Sequence, residues 1–430
     1  IMTIGKENVI LKEKHSFING YKNYVNDGSY NIISGRENIS ISNTETNMFG
    51  FKNSSSNSKA STLLGDNNIT SNTTNSLVSG ELNNESNGEN NFITGDNNNS
   101  TRDKNSLVGG NVNITSDNIN TIGYGKSNNI INSNQSLTFG ESNQIDNDTN
   151  TANFGISNNS ERNNNSMIIG NNNQIKGNKN SLITGKQNDI SGSDMSILFG
   201  ETNVILDSNR GATLGLSNNM KETNDSMLIG KENNIENSER TVVFGNINDI
   251  SVNTINSLVS GLNNKETTGK QNLTSGNLNE IKTTDNNITG GYKNKLTDGS
   301  NNIVSGDSNT ISTSKNTIIS GNDNIVTLNE NISLMGLSNN VNTNSKNSNI
   351  LGESNLSSTI VNSSVIGKSN QSTITENSII GGETNNTEET TNSISIGLSN
   401  IVKKSNQTIV FGKENEVEMT IDSLISGKKN

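Results

Sequence analysis

Apolar positions along this chain return in short clusters at a fixed step. Residues 76–84 read SLVSGELNN, and near-copies start at 106 (SLVGGNVNI), 136 (SLTFGESNQ), 181 (SLITGKQND) and 257 (SLVSGLNNK). Each runs from a small polar residue through two or three apolar ones to a glycine, with asparagine three places on. From Gly5 the glycine recurs every 15 residues to Gly245; one extra residue precedes Gly261, and a second precedes Gly352, after which the step runs to Gly427. Asn stands three residues after all 29 anchor glycines, where composition alone would place roughly six.

Numbered from the anchor, position −4 is Ser or Thr in 21 of 29 repeats, −3 is apolar in 24, −2 in 21, and −1 carries a large apolar group in 16. Position +5 is apolar in 17 of the 28 repeats that include it. The unit is too short for a helical hairpin, and its clusters lack a 3.6-residue period. β-Branched residues in the clusters and Gly or Asn at the breaks predict two brief strands per unit. One such unit cannot bury its own apolar face, whereas stacked copies can, so the predicted fold is an all-β, parallel β-solenoid of 15-residue coils. The array is read as continuous over 1–430, with the extra residues before Gly261 and Gly352 as one-residue bulges.

The invariant columns read as structural. A corner repeated in every coil needs a residue free to take positive φ or to admit the neighbouring backbone, the role expected of Gly80, Gly140, Gly170, Gly200 and Gly245. Asn83, Asn143, Asn173, Asn203 and Asn248 are expected to bond the turn and to stack as an amide ladder. Adjacent strand residues point to opposite faces, yet −3 and −2 are both apolar, so both faces should be covered. The simplest cover is another copy of the same chain. The shared axis is then lined by the −2 column (Val78, Ile168, Leu198, Val243, Val259, Ile319) or by the −3/−1 pair.

Composition agrees with a thin core. Only 27% of the 430 residues are hydrophobic and 3% aromatic, Cys and Trp are absent, and Asn fills about a fifth of positions. The net charge of −11 is spread evenly with no Lys/Arg cluster, so no nucleic-acid partner is expected. No apolar run approaches the roughly 20 residues of a membrane span, and no direct membrane contact is expected in this segment. The chain opens on Ile1 and closes on Asn430 inside a repeat, and reads as a piece of something longer.

Catalysis finds little footing. The single histidine, His15, sits in a polar stretch, KEKHS. Glu81, Asp96 and Glu141 share the +1 column with Lys126, Leu216 and Tyr292, so no calcium array is expected, nor any other metal. The glycine pairs ending at Gly110, Gly291 and Gly382 precede no helix that could receive a phosphate. Acyltransferase solenoids use a six-residue repeat, and 15 is not a multiple of six. The reading is a non-enzyme without cofactors.

The segments NSLVSG, NSMIIG, NSIIGG and NSISIG, each followed by two variable residues and Asn, resemble the NSVAIG-type repeat of YadA-like heads in trimeric autotransporter adhesins along the whole chain. Here +3 is always Asn, where the family has a small residue, and −2 is bulkier than the usual Ala. The resemblance implies a left-handed parallel β-roll, three chains per assembly, and display on a bacterial cell surface by an anchor outside this sequence. It implies an extracellular adhesin segment presenting variable polar loops from +6 to −5 to a host-cell, matrix or other-cell ligand. The alternative is the shaft of a tail fibre or surface filament acting as a spacer.

Overall fold

The computed structural model describes residues 1–251 and 253–430 and divides the chain into two compact units, Ile1–Leu216 and Ser217–Asn430. The described residues contain strands and turns and no helix. Each unit is a parallel β-solenoid: Leu77–Glu81 lies between Thr62–Asp66 and Phe92–Asp96, with Gly80 opposite Gly65 and Gly95. In the second unit Ile303–Asp307 lies between Ile288–Tyr292 and Ile318–Asn322.

One coil shows how the sequence winds. The strand Leu77–Glu81 covers −3 to +1, a corner follows, and the strand Asn84–Ser86 covers +4 to +6. A third side is a single parallel bridge, with Glu89 between Thr74 and Lys104. In this coil three non-glycine residues stand in the left-handed region, Leu82 (φ 58°), Asn87 (φ 56°) and Asn90 (φ 57°), and in other coils Gly177 and Gly192 take the second of these places. Each reverses the chain and turns the next side chain, at +3, +8 or +11, into the coil. Asn and Asp tolerate this conformation best, and Leu82, Val112 and Ile247 hold it without that advantage.

The core is narrow. The −2 and +5 side chains point inward, as Val78 with Glu85 or Ile183 with Ile190, all fully buried. The two columns exchange bulk: Gly123 at −2 leaves room that Ile130 fills, since a Cβ there would stand 2.7 Å from Ile130 Cδ1. Small polar residues occupy the inward corners +8 and +11, so the core is a strip of aliphatic groups edged by hydrogen-bonded side chains.

The strand register is kept across both extra residues. Gly245 still pairs with Gly261 and Gly336 with Gly352. The second insertion appears as two successive left-handed residues, Thr343 (φ 30°) and Asn344 (φ 57°). The first falls between Ser251 and Thr254, where Val252 lies outside the described residues. The stretch from +6 to −5, expected as a variable loop, is instead wound tightly into two corners and a bridge. Its variable side chains line a wall.

Candidate functional site: ladders within, an apolar strand face without

Gly80, Gly140, Gly170, Gly200 and Gly245 take φ of 123°, 128°, 122°, 125° and 113°. A Cβ at any of them would overlap the carbonyl oxygen of the next coil's anchor glycine. Positive φ and close backbone approach therefore act together to exclude every other residue.

Three residues on, Asn83 donates from Nδ2 to Asn68 Oδ1 (3.1 Å) and Gly95 O (2.6 Å). Its Oδ1 accepts from the backbone N–H (3.0 Å) and Nδ2 (2.9 Å) of Asn98. The side chain thus supplies the bonds that the backbone loses where it leaves the sheet. The same bonds recur in the first unit at Asn143 (3.0 Å to Asn128), Asn173 (3.0 Å to Asn158) and Asn203 (3.3 Å to Asn188), and in the second at Asn248 (3.0 Å to Asn233).

The structure buries the residues expected at an oligomer interface. Val78, Ile168, Leu198, Val243, Val259 and Ile319 have no accessible surface within a single chain. They fill the coil, and a second chain could not reach them; their assignment to an oligomer interface is corrected. The face turned outward carries −3 and −1. Phe92, Met167, Ile197, Phe139, Ile169 and Phe199 on it are 36–42% exposed. In successive coils Phe139 stacks on Phe154 at 5.7 Å between ring centres and meets Tyr124 at a tilt at 6.2 Å.

These two outer columns trade with each other. Wherever −3 is polar or alanine (Asn47, Thr62, Ala152, Ala212, Ser333, Asn349, Ser364), −1 is Phe49, Leu64, Phe154, Leu214, Met335, Leu351 or Ile366. Where −1 is Ser or Gly, as at Ser260, Ser275, Gly290, Ser305 and Ser320, −3 is Leu or Ile. Every coil therefore presents at least one large apolar side chain on this face.

Sequence reasoning missed the polar corners at +8 and +11. Asn43 Oδ1 accepts from Ser58 N–H (2.8 Å), Asn118 Oδ1 from Ser133 N–H (2.9 Å) and Asn302 Oδ1 from Thr317 N–H (3.0 Å). The near-exclusive use of Ser, Thr, Asn, Asp or Gly at +8 was the available signal. Asp103 takes such a corner, accepting from Ser100 Oγ (2.6 Å), Thr115 Oγ1 (2.5 Å) and Asn118 N–H (2.9 Å). Burial nevertheless raises its carboxyl above the usual range, and pushes that of Asp148 up to about 6. Outside the coil, Asn75, Asn90, Asn105 and Asn120 form an exposed amide ladder at 3.0–3.1 Å.

His15 stacks on Tyr30 at 5.0 Å between centres. Among the described residues no three His, Cys, Asp or Glu side chains converge on a metal-sized site. No helix among them is long and apolar enough to cross a membrane.

No protein-family model matches this chain, and no curated protein sequence does. Among solved structures it is similar to the UDP-N-acetylglucosamine O-acyltransferase LpxA from Moraxella catarrhalis RH4, at 12% identity over 40% of this chain and 66% of that one, with a TM-score of 0.12. A putative acetyltransferase from Desulfovibrio desulfuricans G20 is 10% identical over 69% of this chain and 68% of that one, with a TM-score of 0.11. Likenesses of this size carry no argument about this chain.

Proposed function

We propose that this chain is a segment of an extracellular fibrous protein that assembles with its own copies through the −3/−1 strand face. The observation that supports this is the trade between the two outer columns. A face that only met water would have no reason to keep one large apolar group in every coil, and would pay for it in solubility. When copies stand side by side, −3 of one and −1 of the next fill the same level, so compensation within a coil keeps each level of the contact full. Three chains, a left-handed coil and display on a bacterial surface follow from the resemblance to YadA-like heads. The role that goes with them is adhesion to a host-cell, matrix or other-cell ligand through the polar outer walls. The chain has no catalytic role and needs no cofactor or metal in this reading.

Light scattering on the purified chain tests the assembly. The expected mass is three times the 45.9 kDa of one chain. Phe139→Glu with Ile169→Glu, both outward and clear of the core, is expected to yield folded single chains; a wild-type chain that is folded and monomeric would refute the reading. A spacer shaft is the second reading, favoured by the tight winding of +6 to −5, which leaves no projecting loop among the described residues. Binding of the assembled segment to cells or matrix supports the adhesin, and binding only by a flanking tip supports the shaft.

A further inference from the structure

Several acidic side chains turn into the coil, and two of them repeat one arrangement. Glu85 and Glu266 stand at +5, where most coils carry an aliphatic group, and both are fully buried. Each belongs to the frame Glu-x-x-Gly-x-x-Asn: Glu85, Gly88, Asn91 and Glu266, Gly269, Asn272. The glycine makes the arrangement possible. A Cβ on Gly88 would collide with Glu85 Oε1, and one on Gly269 would stand 3.1 Å from Glu266 Oε1. The carboxyl thus occupies the corner that Ser, Thr or Asn fills elsewhere.

In both coils Oε1 is satisfied and Oε2 is not. Glu85 Oε1 accepts from Ser76 Oγ (2.7 Å) and Asn91 Nδ2 (2.9 Å). Glu266 Oε1 accepts from Ser257 Oγ (2.8 Å) and Asn272 Nδ2 (2.7 Å). Neither Oε2 has a hydrogen-bond partner among the described residues. The side chains sharing Glu85's column, Thr70 and Ser100, are neutral, as are Val78 and Ile93 of the −2 column. Among the described residues the one ionisable group that bears on Glu85 is Asp103, of the same sign, and none bears on Glu266. An ionised carboxylate with one bare oxygen and no cation is costly in such an interior, whereas the neutral acid is tolerated.

We propose that Glu85 and Glu266 make the coils around them acid-tightened: protonated, each coil is closed, and ionisation on raising the pH opens it locally and reversibly. Burial, the largest influence, raises both carboxyls, that of Glu85 from its ordinary 4.5 to about 7. Below 4.5 the group is neutral in the open and closed forms alike, and its coil is at its most stable. For Glu85, between 4.5 and about 7 the open form ionises while the closed form holds its proton, and Glu266 shifts in the same direction. Stability drains across that window and levels off above it.

Hydrogen exchange of the whole assembled chain at pH 5.5 and pH 8, corrected for intrinsic rates, tests this. Protection over 76–106 and 257–287 is expected to fall on the order of tenfold at pH 8, relative to 303–341. Glu85→Gln and Glu266→Gln should each remove the difference in their own coil alone. Should the amide itself loosen the coil, Glu85→Ile with Gly88→Ser copies the fully wound pair Ile190 and Ser193 and should be insensitive to pH. Equal protection at the two pH values, or a difference that survives in these variants, overturns the proposal.

Discussion

Residues 40–115 of the first unit and 281–341 of the second share a backbone and differ in what fills it. In the first stretch the +5 column reads Ser40, Ser55, Thr70, Glu85, Ser100, Thr115; in the second it reads Ile281, Leu296, Ile311, Val326, Val341. The buried aliphatics from Leu296 to Val341 form part of one continuous cluster, while Val78, Ile93 and Val108 form a small cluster apart from that of Ile18 to Leu63. The polar stretch replaces packing with bonds such as Thr70 Oγ1 to Ser55 Oγ at 2.8 Å. Corner glycines, asparagine ladder and strand register are the same in both. The winding is therefore set by the corners and the ladder, and the filling sets how firmly a coil is held.

The largest effect should ignore that difference. Gly80→Ala in the polar stretch and Gly306→Ala in the apolar one each place a Cβ on a neighbouring carbonyl at positive φ. Each should lose about 3 kcal/mol or more in urea denaturation. Unequal losses would mean that the filling helps to set the corner. Next come Asn83→Ala and Asn309→Ala. Asn309 bonds Asn294 Oδ1 (3.0 Å) and Gly321 O (2.7 Å) as Asn83 bonds its own neighbours, so both truncations strand buried partners. Losses of about 2–4 kcal/mol are expected, alike in the two stretches.

The filling itself should separate them. Ile311→Ala removes a fully buried side chain from a continuous cluster and should cost about 2–4 kcal/mol by thermal melting. Thr70→Val exchanges one hydrogen bond for buried apolar surface of the same shape and should change stability by less than about 1 kcal/mol. A large loss there would show the interior hydrogen bonds to be as important as the apolar cluster. The smallest effect belongs to the outer wall, where Arg102 Nη2 pairs with Asp117 Oδ2 at 2.7 Å. That pairing holds the Asp117 carboxyl down at about 2. Since both side chains face solvent, Asp117→Asn should cost under about 1 kcal/mol, and less in high salt.

Much of the fold was legible because a solenoid coil meets only its neighbours. The same contact recurs at a fixed sequence distance, so the columns of the sequence are the contacts. The glycine every 15 or 16 residues and the Asn three places on displayed the anchored corner directly. What stayed hidden was which side of a strand faced in. Val78 and Leu77 are both apolar, and hydropathy alone could not tell the coil interior from a face awaiting a partner. The columns at +8 and +11 were hidden for a related reason, since small polar residues look like surface until the corner is known to point inward.

By itself, then, the amino-acid order determined the period, the parallel stacking and the identity of the corner residues, because these are local and repeat with the chain. Only the tertiary structure decided that −2 and +5 fill the coil while −3 and −1 face out, because that depends on the three left-handed residues that turn each coil. Two of the three have no common side chain, Leu82 and Asn87 in one coil corresponding to Glu37 and Ser42 in another, and the third, though often Asn as at Asn90, is Glu45 there. Their conformation is imposed by the stacked coils on either side.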